Sequence, residues 1–207
     1  MAQTKGWRAA KRLGMTAAML LATLGVVAPA TAAVASDALA PEVAALAPNR
    51  FLWNDSGSSE PVSIVVSIPD QKAYVYRGAM LIGASTVSTG KDGKETPVGV
   101  FPILQKSENH KSNLYNSAPM PFMQRLTWDG VAIHAGMNPG FPASHGCIRV
   151  PTDFAKKLFA ITTRGTPVLV TDASAAEGWT LPTNADAAAM QSETATANDA
   201  WFQTASR

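Results

Sequence analysis

The chain has 207 residues, 46% of them apolar and 15% charged, which allows one domain of ordinary size with a real core, plus appendages. Its net charge is +2, but Lys5, Arg8, Lys11 and Arg12 precede every acidic residue. Without those four, 13 basic residues face 15 acidic ones, about −2, so the basic balance gives no argument for a nucleic-acid partner.

In chain order, residues 1–14, "MAQTKGWRAAKRLG", form a positive segment, and residues 15–28, "MTAAMLLATLGVVA", are apolar and uncharged. Small-residue cleavage sites follow at Ala32 and Ala35. This is the layout of a secretory signal over residues 1–35, with an uncleaved signal anchor as the alternative. The apolar run is shorter than the roughly 20 residues a membrane span needs, so no span is expected in the mature form. With no cysteine near the cleavage region, a lipid anchor is not expected either. Residues 36–60, rich in Ala, Pro, Ser and Asp, read as a linker or loosely packed lead-in.

From residue 61 the pattern is that of strands. "VSIVVSI" (62–68) puts Val62, Ile64, Val66 and Ile68 on one face. "PDQ" (69–71) is a turn and "KAYVYR" (72–77) the returning strand. "MLIGASTVSTG" (80–90) follows Gly78, and "KDGKE" (91–95) is a polar loop. "TPVGVFPILQ" (96–105) leans towards β, with Pro97 and Pro102 favouring an edge or a bulge. Residues 106–120, "KSENHKSNLYNSAPM", are polar without a period and read as a long functional loop. Residues 121–135 read as a hairpin turning at Asp129–Gly130.

After a turn cluster at 138–142 and the stretch "SHGCIRV" (144–150), one good helix is expected. Thr152 is its candidate N-cap, Phe154, Leu158 and Ile161 share a face, Gly165 suits the C′ position and Pro167 follows. "TPVLVTD" (166–172) is a last strand, and 173–207 a low-complexity tail, disordered or weakly helical. The predicted domain is thus 61–172, mainly β.

Cys147 is the only cysteine. In an exported chain it cannot pair within its own molecule, which leaves an intermolecular bridge, a reactive thiol or a small buried hydrophobe. A cysteine nucleophile needs a base and donors for the oxyanion. Histidine suits the base because its pKa lies near working pH. His145 stands two residues before the cysteine, and His134 precedes a turn-rich segment able to bring Cys147 back beside it. The N–H groups of Gly146 and Cys147 are natural oxyanion donors. Arg149 could bind a substrate carboxylate, favour the thiolate or make an ordinary ion pair. Ser144 could hydrogen-bond a histidine or shape the turn. His134, His145 and Cys147 also offer three zinc ligands, but their spacing matches no common zinc signature. His110, in the polar loop, reads as solvated.

These residues resemble the catalytic domain of the L,D-transpeptidases of bacterial cell-wall synthesis, the YkuD-like family. The resemblance rests on "IHAGMNPGFPASHGCIRV" (133–150) and, independently, on "STGKDGKETPVGVF" (88–101), and it covers the whole predicted core, about 61–172. It implies a β-sandwich-like catalytic domain with a helix after the cysteine and a lid from 106–122. It implies Cys147 as nucleophile and His134 as general base, oriented by a backbone carbonyl. His145, Gly146 and Ser144 would shape the site, with N–H groups at 145–147 facing the oxyanion, and Arg149 would contact substrate. The implied substrates are peptidoglycan stem peptides, with no metal or cofactor, in the periplasm or cell wall. The implied acceptor is a stem's side-chain amine, giving 3→3 cross-links. Water or an envelope protein would be an acceptor in the same chemistry, and a non-catalytic wall-binding module is the rival from another class.

Overall fold

A computed structural model of the protein describes Met1, residues 40–113 and residues 115–193. The signal expected over 1–35 lies, apart from Met1, outside the described residues, as does the tail beyond 193. In chain order the elements are α1 (Ala40–Ala44), β1 (Phe51–Trp53), β2 (Val62–Ser67), β3 (Lys72–Arg77), β4 (Met80–Thr86) and β5 (Gly99–Pro102). Next come β6 (Gln105–Lys111), β7 (Pro119–Arg125), β8 (Ala132–Ala135), β9 (Ile148–Val150), α2 (Thr152–Ile161) and β10 (Pro167–Thr171).

The strands form two sheets. The larger runs β1-β4-β3-β2-β10-β5 and the smaller β6-β7-β8-β9. This is the mainly β, sandwich-like arrangement expected, with the helix directly after the cysteine segment. Ile64 and Val66 of β2, Val75 of β3, Ile133 of β8, Ile148 of β9 and Phe154 of α2 meet in one core between the sheets. β5, which carries Pro102, is an edge strand, where a missing N–H costs no ladder bond.

β2 is buried on both faces, because Val65 points away from that core into a second cluster with Tyr74, Tyr76, Leu81 and Ala84. The residues that cover this outer face come from the two stretches read as linker and tail. Val43, Leu46 and Leu52 of the first stretch pack there together with Trp179 and Leu181 of the second. β1 pairs antiparallel with β4, with Trp53 opposite Gly83, and the indole leaves no room for a Cβ at that glycine. The Tyr74 and Trp179 rings lie 4.9 Å apart. The Asp70 carboxylate accepts from the Ala175 N–H (2.7 Å) and the Tyr74 hydroxyl (3.3 Å). Residues 184–193 are helical, with Ala187 buried. In their described parts, 36–60 and 173–207 are therefore structural. A three-residue strand and single aromatic anchors in polar surroundings leave no period for a sequence reading to find.

The polar stretch 106–120 is only partly a loop, since 106–111 and 119–120 lie in strands. β6 and β7 form a hairpin, with Ser107 opposite Met123 and Lys111 opposite Pro119. Its tip is a tight turn in which the Ala118 N–H donates to the Tyr115 carbonyl, and Asn116 and Ser117 both have positive φ, as in the primed hairpin turns. β6 is an edge strand with most of its side chains half-buried or exposed, so its polar composition hides the alternation that a buried face would impose.

In α2, Thr152 is the first helical residue, and Pro151 holds the cap position without a side-chain bond. Proline's fixed φ suits the helix entry. Phe154 and Leu158 are fully buried and Ile161 half-buried on one face, as expected. The C-cap is Thr162, whose backbone N–H donates to the Leu158 carbonyl. Gly165 (φ +88) is not at C′ but in the turn that leads to β10, where the Thr166 N–H donates to the Thr163 carbonyl. The Lys106 ammonium closes the helix end by donating to the Phe159 and Thr162 carbonyls, each at 2.6 Å. No described helix is long and apolar enough to cross a membrane.

Candidate active site

β8 and β9 run parallel, with Ile133 opposite Ile148 and His134 opposite Arg149. Strand alternation sends the two isoleucines into the core and His134 and Arg149 to the opposite face. Cys147 directly precedes β9, two residues from Arg149. His134, Arg149 and Cys147 line one cavity of about 500 Å³, to which Tyr115 and Met120 of the β6–β7 hairpin also contribute. Parallel strand pairing, not nearness in sequence, thus brings His134 to the cysteine. His145 lines the same cavity, and its ring lies tilted against Tyr115 with centroids 4.8 Å apart.

The His134 ring is buried (7% exposed), and its Nδ1 lies 2.8 Å from the Ala135 carbonyl. A carbonyl only accepts, so Nδ1 carries the proton and Nε2 the lone pair. Burial pushes the His134 pKa down more than the Ala135 bond raises it. The Cys147 thiol packs on Met120, Met123 and Ala132 and donates to the Gly130 carbonyl at 3.5 Å. Burial pushes its pKa up, against weaker lowering by the Ala132 backbone and by the Arg149 and Arg125 guanidiniums. Both shifts favour the neutral forms, thiol and imidazole.

The turn that carries the cysteine is held by directed hydrogen bonds. Ser144 is fully buried, donates to the Cys147 carbonyl and accepts from the Gly146 N–H at 3.1 Å. Gly146 has φ +111, a conformation that side chains disfavour. The Gly146 carbonyl accepts from the Thr96 hydroxyl (2.9 Å), which itself accepts from the Gly90 N–H (2.9 Å). Ser88 exchanges two backbone bonds with Arg149 and donates its hydroxyl to the Phe141 carbonyl. The Thr89 carbonyl takes the N–H groups of Ala143 and Ser144. "STG" (88–90) and Thr96 therefore wrap the "SHGC" turn, which is the physical link between two motifs that are far apart in sequence. Gly90 is obligatory, since a Cβ there would stand 1.9 Å from the Lys94 carbonyl.

One expectation changes. The Gly146 N–H is spent on Ser144, so Gly146 shapes the turn and does not face an oxyanion. The N–H groups of His145 and Cys147 have no partner among the described residues. Arg149 has no carboxylate partner among them either, which sets aside the ordinary ion pair. Its stem and the His134 ring both lean over Gly136, where an added Cβ would meet them at 3.2 and 3.4 Å. No three described His, Cys, Asp or Glu side chains stand close enough to hold a metal ion. His110 lies on β6, at the edge of a second, smaller cavity.

The sequence reading gave no role to Gln71, Asn138 or Tyr115. Gln71 binds Thr89 through both ends of its amide. Asn138, buried, donates to the Thr86 carbonyl at 2.7 Å and accepts from the Gly140 N–H. These are ordinary polar residues in turns, and only their long-range partners distinguish them.

The family model described as the L,D-transpeptidase catalytic domain matches residues 61–170. The chain belongs to that family. Among solved structures it is similar to an LD transpeptidase in complex with imipenem, at 26% identity and TM-score 0.51, over 54% of this chain and 59% of that one. An L,D-transpeptidase from Mycobacterium smegmatis (24% identity, TM-score 0.50, 53% and 58% covered) shares the fold. So does one from Stackebrandtia nassauensis (24%, 0.50, 55% and 57%). The chain covers less than two thirds of each of these structures. No curated protein matches it.

Proposed function

We propose that the protein is an exported peptidoglycan L,D-transpeptidase of the periplasm or cell wall. Cys147 attacks the carbonyl of the third residue in a tetrapeptide stem as His134 Nε2 takes the thiol proton. The N–H groups of His145 and Cys147 bind the oxyanion, and Arg149 binds a substrate carboxylate. His134 returns the proton to the departing terminal D-alanine, and a thioester remains on Cys147. The side-chain amine of another stem's third residue then displaces the sulfur, giving a 3→3 cross-link. Water as acceptor would make the protein an L,D-carboxypeptidase, and an envelope protein's amine would anchor that protein to the wall.

The observation that carries this reading is the shared cavity of His134 and Cys147, with Nδ1 tied to the Ala135 carbonyl and Nε2 left to act as base. Family membership and the imipenem complex of a similar LD transpeptidase support it, and imipenem is expected to acylate Cys147. Incubation with disaccharide-tetrapeptide, followed by mass spectrometry, tests it. A dimer lacking one alanine supports transpeptidation and tripeptide alone supports hydrolysis. Unchanged products from Cys147→Ala would remove the cysteine mechanism.

A further inference from the structure

The spacer between His134 and Cys147 supplies part of the substrate cavity, since Gly136 and Met137 line it. Both ends of the spacer are tied to the domain. The Gly136 N–H donates to the Val150 carbonyl, and the Thr89 carbonyl takes the Ala143 and Ser144 N–H groups. Between these ties, Met137 is 78% exposed at the cavity, whereas Asn138 is turned inwards and 5% exposed. The Asn138 amide donates to the Thr86 carbonyl (2.7 Å) and to the Thr86 hydroxyl (3.2 Å). That hydroxyl also accepts from the Arg50 N–H (3.3 Å) and donates to the Arg50 carbonyl (3.2 Å). The Arg50 carbonyl takes the Thr86 N–H as well, at 3.1 Å. Further along, Pro48 lies against Gly140: a Cβ added at Gly140 (φ +86) would stand 2.8 Å from Pro48 Cγ. Residues 48–50 lie ahead of the family match at 61–170.

A hydroxyl has one hydrogen and two lone pairs, and Thr86 uses all three, so a single atom joins the lead-in to the spacer. We infer that residues 48–50, acting through Thr86 and Asn138, are positioning residues for the reaction: they brace the spacer so that Met137 stands in the cavity as an apolar contact for the bound stem peptide. The inference rests on the acyl-transfer reading above. Strand alternation gives the brace its effect, because the inward pull on Asn138 is what leaves its neighbour Met137 facing the cavity. The brace acts on binding and not on proton transfer. His134 is held separately by the Ala135 carbonyl, and Cys147 by Ser144. A contact made equally in the ground state and the transition state changes KM and leaves kcat alone. The segment that precedes the family domain therefore sets how tightly this enzyme holds its substrate, while the domain itself sets how fast it turns over.

The test is the steady-state kinetics of D-alanine release from disaccharide-tetrapeptide, per folded molecule. Thr86→Val keeps the shape of the side chain and removes the hydroxyl, and Met137→Ala removes the contact itself. Each should raise KM about five- to tenfold with kcat within about twofold of wild type. Thr86→Ser, which keeps the hydroxyl, should restore a KM near that of wild type. Pro48→Gly leaves the buried hydrogen bonds in place and should raise KM about threefold, which keeps the inference testable if Thr86→Val does not fold. The double variant shows whether the brace works through Met137: in the Met137→Ala background, Thr86→Val should raise KM by less than about twofold more. Effects that simply multiply in the double variant would overturn the inference and leave the transpeptidase reading standing. So would a fall in kcat at unchanged KM, or wild-type KM in both Thr86→Val and Pro48→Gly. Absence of D-alanine release by the wild-type protein would overturn both.

Discussion

The outer face of the large sheet and the cysteine turn are held together by different physics. The outer face is an area effect. Val65, Tyr74 and Leu81 are covered by Val43, Leu46, Trp179 and Leu181, and the energy comes from apolar surface removed from water, which is non-directional. The cysteine turn depends on direction. Ser144, Thr96, Ser88 and Gln71 each satisfy named backbone groups around residues 88–90 and 141–147. A region built from area tolerates small displacements, whereas a region built from hydrogen bonds fixes where a thiol and an N–H point.

Four substitutions or conditions separate the two regions. His134→Gln should have the largest effect, lowering the rate of D-alanine release by roughly 10²–10⁴-fold at nearly unchanged thermal stability. Steady-state kinetics and a melting curve together check it. Ser144→Ala comes next. It strands the Gly146 N–H and the Cys147 carbonyl in a fully buried site, at about 1–3 kcal/mol for each group left unsatisfied. Denaturant unfolding should show the loss, and turnover per folded molecule should fall with it. A variant with wild-type turnover would mean that the turn is not what positions the cysteine.

Trp179→Ala should do the reverse. It removes the ring against Tyr74 and should cost about 2 kcal/mol, less than a fully buried tryptophan, with turnover per folded molecule preserved. Lost turnover in a folded variant would show that the outer face reaches the site.

The smallest effect is in the pH response. Because burial raises the Cys147 pKa, the thiolate fraction at neutral pH is below that of an ordinary cysteine. Iodoacetamide should therefore alkylate the protein slowly at pH 7 and faster only as pH rises past the ordinary thiol range. Because burial lowers the His134 pKa, the acid limb of kcat/KM should fall below the ordinary histidine range. The linked stability follows the same signs. The contribution of His134 is present above the ordinary histidine pKa and lost as pH falls through the lowered one. That of Cys147 is present below the ordinary thiol pKa and lost as pH rises through the raised one. Fast alkylation at pH 6 would instead indicate a preformed thiolate–imidazolium pair.

The same contrast explains what could be read from the sequence. Alternation in 62–68 and 72–77 revealed β2 and β3 because one face of each packs on a continuous core. The 3–4 spacing of Phe154, Leu158 and Ile161 revealed α2 for the same reason. Cys147, His134, Ser144 and Arg149 could be singled out because their residue types suit acyl transfer, and the fold brings all four to one cavity. β6 was not, since a polar edge strand has no buried face to impose a period. β1 and the Trp179 segment were missed because a few anchors spread over short stretches leave no pattern. The role of the Gly146 N–H could not be foreseen, because it depends on a serine hydroxyl whose direction only the folded turn sets. Gln71 stayed silent for a related reason, since it acts on a partner 18 residues away, and Thr96, although part of the second motif, had no assigned role because its partner is 50 residues away.

Intact-mass spectrometry of the protein mixed with disaccharide-tetrapeptide tests the central claim most directly. The wild-type protein should gain the mass of the tetrapeptide species less one alanine, the adduct should map to Cys147, and Cys147→Ala should gain nothing. Release of D-alanine by Cys147→Ala at the wild-type rate, or a wild-type adduct on any other residue, would contradict it.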